Sequence, residues 1–336
     1  MIDALLVTKD VNIAYLTRFP ASESWLLVSP RKTIYITDSR YILEAQKNLK
    51  EGITVRRYTA SMAETLSSTV QEMGVRRIGF DSEHITLSQY KSLKRKCPRS
   101  LRFIQADHLV ENLREVKEPR EIQKIRQALC VHRQAHQFLR KNLRAGLTEK
   151  EVFLRLERFV KSRGVKFSFE PIIASGPHSS YPHARLTGRK IRPNDLVLVD
   201  MGIDVQGYKS DLTRIFFLGR IPHLKGQVYE SVRAAQQKAM DVIKAGVLGR
   251  DVDRAARNYL AKRKLARYFT HALGHGVGLE IHENPRLSQK SSSTLKEGMI
   301  ITIEPAVYIP NKFGIRIEDM VLVTKKGCEV LSDNIH

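Results

Sequence analysis

The stretch Leu196-Val-Leu-Val-Asp-Met-Gly-Ile-Asp-Val-Gln-Gly-Tyr-Lys-Ser-Asp-Leu-Thr213 predicts a β hairpin, because two strand-forming runs flank a turn that contains glycine. Asp200 lies in the first run and Asp211 opens the second. Their midpoint falls between Val205 and Gln206, and a turn centred there places the two aspartates opposite each other on one face. At a separation of about 5 Å their repulsion is about 3 kcal/mol. The hairpin therefore predicts a cation between the carboxylates, most simply a divalent metal.

A second hairpin of the same kind follows in residues 300–323. Glu304 and Glu318 each follow a run rich in isoleucine, and their midpoint is Asn311 in the connecting loop. They can therefore face each other across the hairpin and point inward. A single acid on a strand is usually solvated, but four carboxylates in apolar β runs would be costly to bury without a cation. The two pairs together predict a two-metal hydrolytic site.

An internal repeat supports treating the two hairpins as equivalents. The segment Arg144-Ala-Gly-Leu-Thr-Glu-Lys-Glu-Val152 recurs one hundred residues later as Lys244-Ala-Gly-Val-Leu-Gly-Arg-Asp-Val252. In each copy we expect a helix to end near the Ala-Gly, a second helix to follow, and a hairpin then to deliver two carboxylates. The sequence therefore predicts a duplicated, pseudo-twofold unit.

A glycine-rich histidine segment, residues 271–278, lies between the two pairs. His271 and His275 are four residues apart, a spacing that would suit two zinc ligands on a helix. The glycines around His275 disfavour a helix, however, and favour a strand or extended loop. We expect His275 to be a fifth metal ligand and His271 and His282 to face the same cavity. For these last two, and for the isolated His183, an ordinary core histidine is an equal alternative. A phosphate-binding loop is disfavoured, because no Lys-Ser or Lys-Thr follows the glycines.

These motifs together resemble the pita-bread metallopeptidases, the family of Xaa-Pro aminopeptidases and prolidases. The matching segments, in the family's order, are Phe169-Glu-Pro-Ile-Ile-Ala-Ser-Gly, Pro182-His-Ala-Arg, Asp200-Met-Gly, Ser210-Asp-Leu-Thr-Arg, His271 to Pro285, Ile303-Glu-Pro and Gly314-Ile-Arg-Ile-Glu-Asp. The start of the chain is similar to a creatinase-type domain. The resemblance implies an α/β (α+β) fold, with a small creatinase-type α/β N-terminal domain in residues 1–113 and a pita-bread catalytic domain with a pseudo-twofold repeat in residues 114–336.

The resemblance also implies a complete set of metal ligands. Asp200 binds one metal, Asp211 and Glu318 bridge two metals, and His275 and Glu304 complete the other site. In the family a hydroxide held between the ions attacks the scissile carbonyl, and Glu304 is expected to shuttle the proton. The oxygen-rich ligands suit manganese, cobalt, iron or zinc, with manganese favoured.

Four further residues match positions around the family's substrate. His183 and His282 correspond to residues that contact the substrate and the tetrahedral intermediate. His271 and Arg316 correspond to positions that line the substrate pocket or support the residues that do. We therefore expect all four near the metals.

The implied activity is hydrolysis of the Xaa-Pro bond at the N-terminus of proline-containing peptides, an Xaa-Pro aminopeptidase. An Xaa-Pro dipeptidase (prolidase) is the alternative, because both use the same chemistry. A non-catalytic basic binding module on the same fold is more distant, since the five ligand positions are intact and clustered acids without metal would only destabilise the fold. The family also implies a homodimer.

Length, composition and charge limit the domain number, the cellular compartment and the partners that the sequence predicts. The 336 residues suffice for two domains. Three scattered cysteines, no signal peptide and no apolar run of about 20 residues predict a cytoplasmic protein without a membrane partner. The net charge of +22 could attract nucleic acid, but its basic residues are spread along helices, which favours solvated helical faces.

Overall fold

The computed structural model describes residues 2–333 and 335. Internal contacts divide the chain into two compact units, one ending at Arg114 and the other beginning at Glu115. Both units contain helices and strands. The mixed α/β architecture predicted from the sequence is therefore confirmed.

A six-stranded sheet forms the centre of the N-terminal unit. Its strands are β1 (Ala4–Val7), β2 (Trp25–Val28), β3 (Thr33–Thr37), β4 (Ile53–Arg57), β5 (Arg77–Phe80) and β6 (Arg102–Gln105). They lie in the order β4-β3-β2-β1-β5-β6, and β2 alone runs antiparallel to its neighbours. Most of these strands are buried apolar runs, because both faces of the sheet are covered.

Helices pack on each face of this sheet. They are α1 (Asp10–Thr17), α2 (Ile42–Asn48), α3 (Met62–Glu72), α4 (Leu87–Lys96) and α5 (Leu109–Glu115). Side chains of α3 and α4 pack with Leu6 and Ile34 in one apolar cluster. Side chains of α1, α2 and α5 pack with Val7 and Tyr35 in another. Adjacent strand residues thus face opposite helix layers, as the strand period of two requires.

Two helix pairs confirm the repeat in the C-terminal unit. These helices are α6 (Pro119–Asn142), α7 (Glu149–Ser162), α8 (His223–Met240) and α9 (Gly249–Lys262). α7 and α9 each contain 14 residues and begin one hundred residues apart. The glycines that precede them, Gly146 and Gly246, have φ values of 94° and 92°, which a residue with a Cβ rarely adopts. No helix in residues 2–333 is both long and apolar enough to cross a lipid bilayer.

The strands of the C-terminal unit form several small sheets. They are β7 (Lys166–Phe167), β8 (Ile172–Ser175), β9 (Leu196–Met201), β10 (Ile203–Val205), β11 (Tyr208–Lys209), β12 (Leu212–Phe217), β13 (Gly274–Gly276), β14 (Glu283–Leu287), β15 (Ile300–Ile303), β16 (Ala306–Ile309), β17 (Phe313–Arg316), β18 (Asp319–Val323) and β19 (Cys328–Val330). Their orders are β11-β10-β7, β12-β9-β8, β14-β13-β15-β18-β19 and β16-β17. α6 and α7 pack against β8 and β9, whereas α8 and α9 pack against β15 and β18.

Candidate metal centre

The first hairpin departs from the predicted register. Val205 pairs with Tyr208 across Gln206 and Gly207, whose φ values of 53° and 88° make a two-residue turn of type I′. The turn is therefore centred one residue later than predicted, and Thr213 rather than Asp211 lies opposite Asp200. The prediction of directly opposed aspartates was wrong, because Gln206 adopts the left-handed conformation that the sequence did not signal. The two aspartates are diagonal neighbours on the same face.

The second hairpin follows the predicted register. Ile303 pairs with Asp319 in one ladder, and Ala306 pairs with Arg316 in the next. Glu304 and Glu318 lie level with each other between these two ladders. The turn is centred on Asn311, which has a φ of 58°, and asparagine tolerates this conformation better than most residues do. The prediction that the two glutamates face each other is therefore confirmed.

His275 enters the site on a strand, as predicted, because β13 spans the residue. A Cβ on Gly274 or Gly276 would collide with the backbone of Thr302 or Asn284, so glycine allows the strands to approach closely. His275 Nδ1 lies 3.0 Å from its neighbour's carbonyl oxygen, which fixes Nδ1 as the N–H donor. Its Nε2 is then free of a proton when the ring is neutral, and faces the carboxylates.

The five predicted ligands lie close together, with Asp200, Asp211 and Glu318 buried and with His275 and Glu304 partly exposed. Nε2 of His275 lies 3.3 Å from Glu304 Oε1 and 3.7 Å from Asp211 Oδ2. Asp211, His275 and Glu318 each offer a ligand atom within 4.8 Å of the others. Asp200, Asp211 and Glu318 are 8%, 5% and 2% exposed. Such a site concentrates negative charge where water cannot screen it.

The pKa values record this crowding. Burial, followed by the charges of Glu318 and Asp200, raises the pKa of Asp211 well above its ordinary value. Burial and then the charge of Glu304 raise the pKa of Glu318 well above its usual range. Burial is the largest single influence on Glu304 and opposes its ionisation, but the hydrogen bond and charge of His275, together with other neighbouring charges, outweigh that cost and lower the pKa of Glu304. Without a cation the cluster therefore holds protons that a metal would displace.

Arg316 is a buried residue that binds protein groups on several sides. Its guanidinium donates to Asp200 Oδ2, to the Tyr308 hydroxyl, to Thr213 Oγ1 and to the carbonyl of Pro182. Burial raises the pKa of Asp200, although the cation of Arg316 opposes the shift. Arg316 is only 4% exposed. It therefore supports the site from the protein interior, through its contact with Asp200.

The residues present fit a divalent metal. Oδ1 of Asp200 is buried and lacks a hydrogen-bond partner among residues 2–333 and 335. A buried carboxylate oxygen without a partner is costly, and it points to a ligand supplied from outside the chain. Four carboxylates and one imidazole are also a donor set that manganese, cobalt, iron and zinc accept.

The other predicted histidines surround the cluster at different depths. The rings of His275 and His282 are 4.3 Å apart and inclined by 70°. His271 Nε2 lies 3.2 Å from the Tyr308 hydroxyl, and its Nδ1 lies 4.0 Å from Glu304 Oε2. His183 is exposed and acts electrostatically on His282. The histidines thus extend from the cluster toward solvent.

Sequence reasoning missed three residues that hold these groups. Thr213 Oγ1 donates to Glu318 Oε2 at 2.7 Å. Thr302 Oγ1 accepts a hydrogen bond from the His275 backbone N–H and lies 3.3 Å from Glu304 Oε1. Burial raises the pKa of Tyr308 to about 12, so its hydroxyl stays protonated. The sequence pattern that could have identified them is a polar side chain on the same strand face as a ligand. Each lies two or four residues from a ligand, and side chains at this spacing point to the same side of a strand.

This duplicated α/β unit and its cluster have the architecture of the pita-bread fold, and the sequence comparisons agree. Residues 123–325 match Metallopeptidase family M24, and residues 1–116 match the Creatinase/Prolidase N-terminal domain. The chain belongs to metallopeptidase family M24. The predicted fold class and the identification as a metallopeptidase are therefore confirmed.

Similar proteins named as Xaa-Pro dipeptidases and as X-Pro aminopeptidases match nearly the whole chain. The Xaa-Pro dipeptidase of Pyrococcus horikoshii is 34% identical over 98% of this chain and 93% of its own. A solved Xaa-Pro dipeptidase from Bacillus anthracis is 34% identical, with a TM-score of 0.95 over 99% of this chain and 93% of its own. A solved X-Pro aminopeptidase from Thermotoga maritima is 33% identical, with a TM-score of 0.92 over 98% of this chain and 95% of its own.

Proposed function

We propose that this protein is a dinuclear-metal-dependent peptidase that hydrolyses the Xaa-Pro bond at the N-terminus of peptides. The single observation that carries the proposal is the cluster of Asp211, His275 and Glu318, with Asp200 and Glu304 beside it and with one Asp200 oxygen that has no hydrogen-bond partner in the described part of the chain. The names of similar proteins, which include an Xaa-Pro dipeptidase and an X-Pro aminopeptidase, support the choice of substrate. We also propose that the two compact units are separate domains, with a boundary near residue 113.

We assign the metal ligands as follows. Asp200 would hold one ion, Asp211 and Glu318 would bridge two, and His275 with Glu304 would complete the second site. Two such ions, most suitably manganese, lower the pKa of water and polarise the scissile carbonyl when they are bound.

Glu304 is suited to move a proton within this site. The cation of Arg316, which stays in place when His275 Nε2 holds a metal, favours the ionised carboxylate of Glu304, and this carboxylate can accept a proton. Thr302, which lies 3.3 Å from Glu304 Oε1, fixes the orientation of the carboxylate. Glu304 can then pass the proton to the leaving amine of proline.

The outer histidines are suited to hold the substrate. Burial lowers the pKa values of His271 and His282, so both rings are neutral near pH 7. Nδ1 of His271 lies 2.8 Å from the Ala272 carbonyl oxygen and donates to it, so Nε2 accepts from the Tyr308 hydroxyl. A neutral His282 can donate a hydrogen bond to a developing oxyanion, and the exposed His183 can meet the peptide. We assign Arg316 the role of holding Asp200.

Aminopeptidase is our first assignment and dipeptidase the second. The two differ in whether the pocket beyond proline closes around a terminal carboxylate, and similar proteins carry both names at 33–34% identity. We further propose a cytoplasmic homodimer whose substrates are proline-containing peptides, without a membrane or nucleic-acid partner.

Product analysis tests this proposal. The purified protein is reconstituted with manganese and given an Ala-Pro dipeptide and an Ala-Pro-containing pentapeptide side by side, with Asp211→Asn as the control. Alanine released from the pentapeptide supports the aminopeptidase, and cleavage of the dipeptide alone supports the dipeptidase. If neither peptide is cleaved, the proposed activity is wrong.

A further inference from the structure

A buried ion pair lies behind the candidate site and none of the assigned roles uses it. Nζ of Lys117 is 3.0 Å from Oε2 of Glu283, and the two side chains are 1% and 6% exposed. The partners are 166 residues apart in sequence. Because a buried charge is costly without its partner, the pair constrains both segments that carry it.

The backbone around Lys117 is fixed independently of the ion pair. Val116 forms an antiparallel bridge with Met299, and the Lys117 N–H donates to the Gly298 carbonyl at 2.9 Å. The Lys117 ammonium also lies 3.3 Å from the carbonyl oxygen of Glu115. The segment before α6 therefore presents its ammonium from a rigid position beside the start of β15.

Glu283 uses its carboxylate to close the loop of residues 278–283. Oε1 of Glu283 accepts the backbone N–H of Glu280 at 3.1 Å. Gly278 lies so close to the carboxylate that a Cβ there would be 2.5 Å from Oε2 of Glu283. Glu283 also pairs through its backbone with Gly276, next to His275. The carboxylate and the backbone of Glu283 thus together hold the loop.

This loop carries His282. β14 begins at Glu283, whose carboxylate contacts the Lys117 ammonium, and the ring of the preceding residue, His282, lies 4.3 Å from the ring of His275. We propose that Lys117 is a positioning residue that acts through Glu283 to hold the His282 imidazole over the metal ligands. This inference rests on the proposed function only for its kinetic consequence.

The kinetic test removes the pair one partner at a time in the manganese-loaded full chain. Lys117→Met and Glu283→Gln are each expected to lower kcat about 10- to 100-fold on the cleaved peptide, with KM changed less than about threefold, because the hydrogen bond assigned to His282 is made to the developing oxyanion. The double variant Lys117→Met/Glu283→Gln should lose less than the product of the two single losses. Lys161→Met, which breaks an exposed pair with Glu157, is the matched control and should leave kcat unchanged.

A second readout does not depend on activity. The His282 ring resonance of the metal-free protein, identified by its loss in His282→Gln, should shift in both single variants at constant pH. The ring of His178, held by Glu149 at 2.9 Å, should not shift. If Lys117→Met fails to fold, Glu283→Gln preserves the shape of the side chain and decides the outcome.

The two readouts separate the possible failures. An unshifted His282 resonance in a folded Glu283→Gln variant overturns the positioning role, whatever the activity. A parallel loss in the Lys161→Met control would reduce the effect to general destabilisation and would also overturn it. A wild-type protein that cleaves no Xaa-Pro peptide contradicts the proposed function instead, while the resonance still tests the position of His282.

Discussion

The two hairpins of the C-terminal unit follow matching helix pairs but bring their carboxylates together in different ways. In the second hairpin Glu304 and Glu318 lie level, in ladders that share one register about Asn311. In the first, Asp200 lies opposite Thr213, so its aspartates are diagonal. The difference teaches that the site needs both pairs on one inner face, whereas direct opposition within each pair is not required.

The side-chain lengths agree with this geometry. The shorter aspartates come from the hairpin whose carboxylates are offset, and the longer glutamates come from the hairpin that keeps them level. Each glutamate is supported by a threonine hydroxyl. Thr213, from the first hairpin, donates to Glu318, and Thr302, from the second hairpin, lies close to Glu304. The hairpins are therefore bound to each other through the site.

The largest expected effect comes from removing one ligand charge in the first hairpin. We expect Asp211→Asn to reduce kcat/KM by at least about a thousandfold, because the bridging carboxylate is lost. Asp204→Asn is the matched control. Asp204 is also buried in this hairpin, but its carboxylate binds Gly207 N–H and Lys209 rather than the cluster. Peptide hydrolysis checks both variants, and equal losses would show that the hairpin and not the ligand is responsible.

The next effect concerns stability without metal. Because the folded-state pKa values of Asp211 and Glu318 are raised above their unfolded values of about 4, the folded state binds these protons more tightly. Their stabilising contribution is complete below pH about 4 and is lost as pH rises through the folded-state pKa values. We expect the free energy of unfolding of metal-free wild type to fall between pH 5 and pH 8 relative to that of Asp211→Asn, a comparison in which the opposing contribution of the histidines with lowered pKa values is common to both proteins.

Urea denaturation after chelation measures this dependence. Asp211→Asn should weaken the dependence of the free energy of unfolding on pH, since the variant removes one repelling carboxylate. In the wild type, added manganese should reverse this pH dependence by displacing the protons. A wild-type protein whose stability without metal follows the same pH dependence as that of Asp211→Asn would contradict the assigned crowding.

A smaller effect compares the two supporting hydroxyls. Thr213→Val and Thr302→Val keep the shape of the side chain but each remove two hydrogen bonds. Thr213 loses its bonds with Glu318 and Arg316, and Thr302 loses its bonds with Glu304 and the His275 backbone. We expect each to lower kcat/KM about tenfold, in line with the 10- to 100-fold cost of losing groups that orient metal ligands. Steady-state kinetics with matched manganese content checks the pair. A large loss in one variant and none in the other would show that the two hydroxyls do not support the two glutamates equally.

The smallest effect tests why the first register was mispredicted. Gln206 is exposed and has a φ of 53°, whereas the equivalent turn position in the second hairpin is already asparagine. Gln206→Asn should raise the free energy of unfolding by a few tenths to about 1 kcal/mol, because asparagine favours type I′ turns. Asn311→Ala should lower it by a similar amount. Thermal denaturation checks both, and a destabilised Gln206→Asn protein would contradict the turn assignment.

The sequence predicted those parts of the structure that depend on local pattern. The repeat, the helix that follows each Ala-Gly and the second hairpin all follow from periodicity and spacing. The first register failed because nothing in the composition marks Gln206 for positive φ.

Contacts between distant segments could not be predicted in this way. The approach of Arg316 to Asp200 and of Lys117 to Glu283 depends on how separate elements pack, which no local period encodes. The resemblance indicated that Arg316 lies near the substrate or supports the site, and its burial favours the supporting role. The approach of the candidate ligands to one another could thus be predicted, and their binding of metal stays a prediction, whereas the residues that contact them could not be predicted.

Metal stoichiometry tests the central claim most directly. The claim is that both hairpins contribute to one two-ion centre, so equilibrium dialysis of the chelated protein against manganese should give two ions per chain. Glu318→Gln, which removes a bridging carboxylate, should lower the bound metal below one ion per chain. Two ions that remain bound in Glu318→Gln, or a wild type that binds none, would contradict the account.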